Sequence, residues 1–162
     1  MLSLAIIAVM CVSYFADAIF IAWLFEQPKP RFNRRAIGSV AIIATCIIIA
    51  YVLADIIPDV ELGNRFQHAL GGGLTAFLAC FLACRDTDID IGRIRFAVVA
   101  LLIVTAMGVG NELLEFLLQT HSHYIFADNA LDTWRDLASN AVGATIAAIL
   151  LTPWQHTKRK SS

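Results

Sequence analysis

The sequence predicts an all-α integral membrane protein, a helical bundle of five transmembrane helices with its N-terminus outside and its C-terminus in the cytoplasm. Three observations predict this class. The 162 residues are 59% hydrophobic and only 15% charged, whereas a soluble domain is about half apolar and about a quarter charged. The apolar residues form five long runs, and lysine and arginine collect in alternate loops. We expect one multi-pass membrane domain over residues 1–162.

Each apolar run is long enough to cross a bilayer, which requires about 20 apolar residues per helix. The predicted spans cover residues 2–25, 36–57, 65–84, 96–118 and 133–153. The third span is the least apolar of them, because it contains Gln67, His68 and three glycines. No basic segment precedes the first run, which is also longer than the apolar part of a signal peptide, so we expect it to be retained as a helix.

The basic residues predict the orientation. Ten of the twelve lysines and arginines lie in the first loop, the third loop and the C-terminal tail, and only Arg65 and Arg135 lie elsewhere. Since positively charged loops stay in the cytoplasm, the N-terminus is expected outside and the C-terminus inside. The net charge of −1 excludes a basic nucleic-acid binder.

This orientation brings polar side chains from four segments to the outer leaflet. A charge at membrane depth is costly, so such residues normally face a bundle interior or water and mark function. The residues predicted to share this side are Asp55, Asp59, Glu61, Asn64, His68, Glu112, Glu115, Gln119, Asp128, Asp132 and Asp136.

Helical spacing arranges the deeper polar residues in three stripes, since residues three and four apart share a helix face. The stripes are Gly108, Glu112, Glu115 and Gln119 in the fourth span; Asp132, Asp136, Asn140 and Gly143 in the fifth; and His68, Gly72 and Thr75 in the third. The glycine triplet 71–73 and the Gly108–Gly110 pair would allow close contact between helix backbones. We therefore expect the three stripes to bury one another.

Glu112, Glu115, Asp136 and His68 are the predicted catalytic residues. They suit a general acid/base pair, a proton relay or metal ligands. Two glutamates this close repel each other in a medium of low dielectric, so we expect one to be protonated at neutral pH. The alternative is a structural pair bonded to a neighbouring helix or to Arg135. Function is favoured, because acidic residues inside membranes are rare.

One imidazole with several carboxylates suits zinc, manganese or iron, and acid/base chemistry without a metal is equally open. The candidate ligands are His68, Glu112, Glu115, Asp132 and Asp136. Asp132 alone fits an N-cap of the fifth helix equally well. The supporting polar residues are Asn140, Gln119 and Asp128.

Other polar residues are interpreted as structural. Asp17 lies toward the cytoplasmic half of the first span, and we expect it to pair with Arg34 or Arg35. The acidic triplet at positions 86, 88 and 90 lacks the distal glutamate of a calcium loop, which favours a solvated turn. We expect the four cysteines to be buried, inert thiols: Cys11, Cys46, Cys80 and Cys84.

Two groups of membrane proteins share motifs with this chain. Asn64-Arg-Phe-Gln-His68 resembles the Asp-Lys-x-x-His opening of VanZ-like proteins, and Asp136-Leu-Ala-Ser-Asn140-Ala-Val-Gly143-Ala resembles their late Asp-x-x-x-Asn-x-x-Gly element. Glu112-Leu-Leu-Glu115-Phe and Asp132-Thr-Trp-Arg-Asp136-Leu are similar to the Glu-Leu-x-Glu-Trp and Trp-Asp-Thr-x-x-Asp motifs of a related group, small bacterial inner-membrane proteins of unknown function.

The resemblance covers roughly residues 60–150. It implies a multi-pass protein of the bacterial cytoplasmic (inner) membrane with a polar centre near its outer face. It implies no reaction. VanZ-like proteins are linked to resistance against glycopeptides that bind the cell-envelope surface.

Three functions fit these observations. The first is an enzyme or lipid-handling protein that binds membrane lipid and acts on an envelope lipid at the outer leaflet. The second is a small proton- or cation-coupled transporter, for which five spans would require a homodimer; the two halves show no inverted repeat, which counts against this function. The third is a non-catalytic structural module in which the polar stripes hold helices together. The first is favoured slightly over the third, and transport comes last.

Overall fold

The computed structural model describes residues 2–121 and 130–155, which leaves the candidate residue Asp128 outside the described residues. Within these ranges the chain is helical between short loops and contains no strand. The elements are α1 (Leu2–Leu24), α2 (Arg34–Ile56), α3 (Val60–Gln67), a π-helix (His68–Leu74), α4 (Thr75–Asp86), α5 (Arg93–His121), α6 (Ala130–Leu151) and a 3₁₀ turn (Thr152–Trp154).

The all-α fold with five spans is confirmed. Five helical stretches are long and apolar enough to cross a membrane, and each contains most of one predicted span. They are Ile6–Leu24, Arg34–Ile56, Val60–Asp86, Arg93–His121 and Ala130–Trp154. The third of these joins α3, the π-helix and α4 into one continuous helix, here called the third span.

The third span lies at the centre of the bundle. In its most apolar stretch 56% of the residues are buried, against 22–33% in the other four. Ten of the twelve residues of α4 are buried. Phe77 and Phe81 of α4 pack edge-on against Phe96 of α5, with ring centroids 5.5 Å and 6.2 Å apart. Large apolar side chains on the outer faces of the surrounding helices suit a lipid environment.

Polar caps fix two helix starts near the membrane surface. The side chain of Asn33 accepts a hydrogen bond from the backbone N–H of Arg35 and caps α2. Asp59 accepts from the N–H of Leu62 and caps α3. Both satisfy N–H groups that a helix start leaves without a partner in the helix. The predicted outer acid Asp59 is therefore a helix cap.

The closest helix contact joins the π-helix to α6. A Cβ atom on Gly73 would collide with the backbone carbonyl of Asn140, and one on Gly143 would collide with the carbonyl of Ala69. The two backbones can approach this closely only because both positions lack a side chain. In the same region, Thr75 donates its hydroxyl to the carbonyl of Leu70, five residues earlier, which is the spacing of a π-helical turn.

Asp17 does not pair with an arginine. It is 6% exposed, and its Oδ2 accepts a hydrogen bond from the Cys80 thiol at 3.4 Å. The predicted pairing with Arg34 or Arg35 is wrong because Asp17 faces the central α4 rather than the first loop. Cys80 and Cys84 are buried free thiols, whereas Cys11 and Cys46 are partly exposed.

Asp86 is not part of a solvated turn. It is the last residue of α4 and is 2% exposed. Its carboxylate accepts from Tyr14 Oη at 2.9 Å, from Ser39 Oγ at 2.5 Å and from the Arg85 guanidinium at 3.1 Å. The interpretation of the acidic triplet fails here because α4 extends further than the apolar run, so Asp86 still faces α1 and α2. Asp88, beyond the helix, is exposed.

Replacing Gly143 with alanine should destabilise the protein by about 1–3 kcal/mol, because the added methyl group forces α6 away from the π-helix. Thermal unfolding of the purified protein in detergent measures the loss. Gly110→Ala is the matched control, since no atom lies within 4 Å of a Cβ added there. Equal melting temperatures for the two variants would contradict the close contact.

Candidate functional site

The third span supplies one wall of a buried polar centre. Asn64, on α3, donates its side-chain amide to Asp136 Oδ1 at 3.0 Å. His68, one turn later at the start of the π-helix, places Nε2 3.4 Å from Asp136 Oδ2. Asp136 lies on α6 and is 4% exposed. The two oxygens of this carboxylate thus face two different residues of the third span.

Glu112 of α5 completes a cluster from three spans. One ligand atom each from His68, Glu112 and Asp136 lies within 4.8 Å of the other two. Glu112 is 8% exposed, and its Oε1 has no hydrogen-bond partner among the described residues. We call His68, Glu112 and Asp136 the triad. It is the group of described residues whose spacing would allow them to hold a metal ion.

Glu115 lies beside the triad, one helical turn after Glu112. Its Oε1 accepts a hydrogen bond from the Asn111 side chain at 2.7 Å. Together with His68 and Tyr51 it lines a small cavity of about 90 Å³. Asn111 and Tyr51 are not among the site residues predicted from the sequence. Asn111 could have been found from its four-residue spacing to Glu115, whereas the apolar surroundings of Tyr51 in α2 gave no signal.

Asn140 forms the floor of the centre. It is 7% exposed, and its Oδ1 has no hydrogen-bond partner within the part of the chain that the structure describes. Cβ atoms added at Gly72 or Gly108 would contact its side-chain amide. These glycines therefore make room for the amide between the third span, α5 and α6.

A wider groove adjoins the centre and shares Asn111, Glu115 and Asn140 with the small cavity. It lies between α1 and α5, has a volume of about 400 Å³, and is walled largely by apolar residues such as Val9, Met107 and Leu114. Glu115, Asn111 and Asn140 line the same groove at its polar end. A molecule with an apolar chain and a polar head fits such walls.

The remaining predicted acids lie at the edge of the centre. Glu61 pairs with Arg65 at 2.5 Å and also with Arg135. The alternative in which the two glutamates of α5 bond to Arg135 is therefore wrong, because Glu61 holds this arginine at the surface. Asp55 is exposed at the end of α2.

Asp132 and Gln119 are partly exposed and stand outside the triad. Asp132 lies inside the first turn of α6, which begins at Ala130. The N-cap interpretation of Asp132 is therefore wrong, because a cap precedes the helix. An acid in the first turn still interacts favourably with the helix dipole.

The fold and this centre define a multi-span helical membrane protein with a polar site buried among its third, fourth and fifth spans. The model of a family described as predicted membrane protein, DUF2238, matches residues 64–157. This is more than half of the 162 residues, and the chain belongs to that family. No curated protein and no solved structure matches the chain.

Replacing Asn64 with alanine should destabilise the protein by more than the average interhelical hydrogen bond in a membrane, which contributes about 0.6 kcal/mol. Asp136 would lose a donor in a buried place, where an unsatisfied group costs about 1–3 kcal/mol. Thermal unfolding in detergent measures the difference. Asp55→Ala, at an exposed position, is the control and should change the melting temperature little. An equal decrease in melting temperature in both variants would show that the Asn64–Asp136 hydrogen bond does not stabilise the protein.

Proposed function

We propose that this protein binds a phospholipid of the outer leaflet and acts on its headgroup by acid/base chemistry. The acyl chains would lie in the groove between α1 and α5, and the headgroup would reach Glu115 and the triad. One observation carries the proposal: the groove has apolar walls and ends at Glu115, Asn111 and Asn140. A lipid could enter such a site laterally from the bilayer, while its acyl chains stay in an apolar environment.

The roles of the acidic residues are inferred from their surroundings. Asp136 is held by Asn64 and His68, so it would fix the imidazole in place. Glu115 has one described hydrogen bond, from Asn111, and it lines both the cavity and the groove. It is the carboxyl group best placed to exchange a proton with a bound headgroup. Glu112 and Asp136 would position that headgroup or its counter-ion.

The rival functions make different use of the same residues. In a purely structural module the acids would each bond to a separate partner on a neighbouring helix. Asp136 does bond to Asn64 of the third span, but His68, Glu112 and Asp136 also lie close to one another, and Glu112 Oε1 and Asn140 Oδ1 lack hydrogen-bond partners among the described residues. This arrangement favours a ligand site over interhelical bonding alone. A cation-coupled carrier would use the same acids to bind its ion.

The resemblance to VanZ-like proteins supports the same class of substrate. The matching residues His68, Asp136 and Asn140 meet around the centre, together with Asn64, which stands where VanZ-like proteins have Asp. VanZ-like proteins are linked to resistance at the cell envelope, so an envelope lipid is the substrate class that we infer. A bacterial cytoplasmic membrane is the location that this inference requires.

We also propose that the centre faces the outer leaflet, with the C-terminus in the cytoplasm. The distribution of lysine and arginine supports this orientation. It would place the Asp86 network on the cytoplasmic side and the triad on the other, since the two lie at opposite ends of the third span.

Reporter fusions test this orientation. Green fluorescent protein fused after Ser162 should fluoresce, and alkaline phosphatase inserted at Pro58, between α2 and α3, should be active. Phosphatase inserted at Pro30, in the first loop, is the matched control and should be inactive. The reverse activities at Pro58 and Pro30 would overturn the orientation, although the proposed lipid site would then face the inner leaflet.

Lipid-dependent stabilisation tests the proposed function. Phosphatidylethanolamine or phosphatidylglycerol, added to delipidated protein in detergent at about a hundred times its dissociation constant, should stabilise the protein by about 2.7 kcal/mol. Gly110→Leu should abolish this effect, because Gly110 lines the groove and has open space around it. Thermal unfolding with and without lipid measures both.

Gly38→Leu is the matched control, since Gly38 also has open space around it and lies on the exposed face of α2. It should keep the full effect of lipid. Glu115→Gln should still bind the acyl chains of the lipid. It should distinguish less well between phosphatidylethanolamine and phosphatidylglycerol. If Gly110→Leu responds to lipid as strongly as Gly38→Leu, the groove is not the lipid site.

A further inference from the structure

We propose that the triad of His68, Glu112 and Asp136 binds a divalent transition-metal ion, of the class of zinc, manganese or iron. The inference rests on the proposed function in that it names what the same centre would present to a phosphate headgroup. Its ligand geometry stands by itself, however, and can be tested without lipid.

The spacing of the triad fits one shared ion. Ligand atoms bound to a tetrahedral ion at about 2.1 Å lie about 3.4 Å apart. His68 Nε2 and Asp136 Oδ2 already have this separation, at 3.4 Å. The Glu112 carboxylate completes a group whose members all lie within 4.8 Å.

The unsatisfied oxygen of Glu112 points independently to a ligand. Glu112 is 8% exposed, yet its Oε1 has no hydrogen-bond partner among the described residues. A buried polar atom without a partner costs about 1–3 kcal/mol. Asn140, which is 7% exposed, also belongs to the centre. Its Oδ1 atom likewise has no hydrogen-bond partner among the described residues. A bound ion and its water would satisfy both oxygens.

The charges of the centre require compensation. Glu112, Glu115 and Asp136 bring three carboxyl groups together, and no lysine or arginine in the described part of the chain forms an ion pair with them. Arg65 and Arg135 both pair with Glu61, and Arg65 acts on Asp136 only from beyond ion-pair distance. A divalent cation would neutralise two carboxylates in a place where uncompensated charge is expensive.

The donor set indicates the class of ion. One imidazole nitrogen and two carboxylates suit zinc, iron or manganese, whereas calcium and magnesium prefer oxygen ligands alone. Three protein ligands leave at least one position open for water or substrate. His68 also lines the cavity of about 90 Å³ that Glu115 enters. Glu115 is outside the ligand group and, since it lines this cavity, it would be near water or substrate bound beside the ion.

Asn64 would act as a positioning residue for the ion. Its amide binds Asp136 Oδ1 at 3.0 Å and leaves Oδ2 facing His68. Hydrogen bonds of this kind orient metal ligands, and losing one typically costs 10–100-fold in affinity. Asn64→Ala should therefore weaken metal binding by about that factor without removing the site.

Metal titration of the purified full-length protein tests the proposal. The protein in detergent is treated with chelator, desalted, and titrated separately with Zn²⁺, Mn²⁺, Fe²⁺, Ca²⁺ and Mg²⁺. The amount of bound metal per chain is measured by inductively coupled plasma mass spectrometry, and the dissociation constant is measured by isothermal titration calorimetry. We expect about one equivalent of Zn²⁺, Mn²⁺ or Fe²⁺ per chain, bound more tightly than Ca²⁺ or Mg²⁺.

Glu112→Gln and His68→Asn should lose this equivalent, and Glu61→Gln, which changes an exposed acid at the edge of the centre, should keep it. Thermal unfolding in metal-free buffer confirms that each variant is folded. If Glu112→Gln fails to fold, Asn64→Ala with its 10–100-fold weaker binding provides the test.

Several outcomes would overturn the proposal: no equivalent bound by the wild type, an equivalent retained in both folded ligand variants, or tighter binding of Ca²⁺ or Mg²⁺. Loss of lipid-dependent stabilisation in Gly110→Leu alongside any of these would leave the lipid site standing without its metal. Conversely, a metal equivalent in a protein that shows no lipid effect would support the ion and reject the phospholipid.

Discussion

The close contact between the π-helix and α6 is the constraint on which the site depends. Gly73 and Gly143 allow the two backbones to meet where a methyl group would collide with a carbonyl. This contact brings His68, at the start of the π-helix, to 3.4 Å from Asp136, two helical turns before Gly143 on α6. Without a strong hydrophobic drive between helices in lipid, such backbone packing is a main source of helix association. The same glycines therefore hold the bundle together and set the geometry of the centre.

The π-helix contributes to this geometry in a second way. A π segment adds a residue to a helical turn and rotates the next part of the helix relative to an ordinary α-helix. It lies between α3, which supplies Asn64, and α4, which is almost wholly buried. The third span can therefore present Asn64 and His68 to α6 near its start, while α4 buries mainly apolar side chains and ends in the Asp86 network with α1 and α2. Such π segments occur frequently at functional sites.

Much of this architecture could be predicted from the sequence alone. The five spans could be predicted because about 20 apolar residues are needed to cross a bilayer, and each run ends at proline, charged or other polar residues. Helical spacing also placed Glu112 and Asp136 on inward faces, as their burial shows. The burial of Asp86 could not be predicted, because it depends on how far α4 continues beyond its apolar run. The partner of Asp17 depends on how α1 turns toward α4, which composition does not reveal.

The two polar clusters of the third span differ in how completely their buried polar atoms are hydrogen-bonded. At one end, Asp86 accepts hydrogen bonds from Tyr14, Ser39 and Arg85, and none of these four residues has a buried side-chain atom without a partner. At the other end, Glu112 and Asn140 each keep an unsatisfied oxygen among the described residues. A fully satisfied network is what a fold requires to bury charge. Unsatisfied atoms cost free energy in every folded molecule, so they are expected to persist where something else binds them.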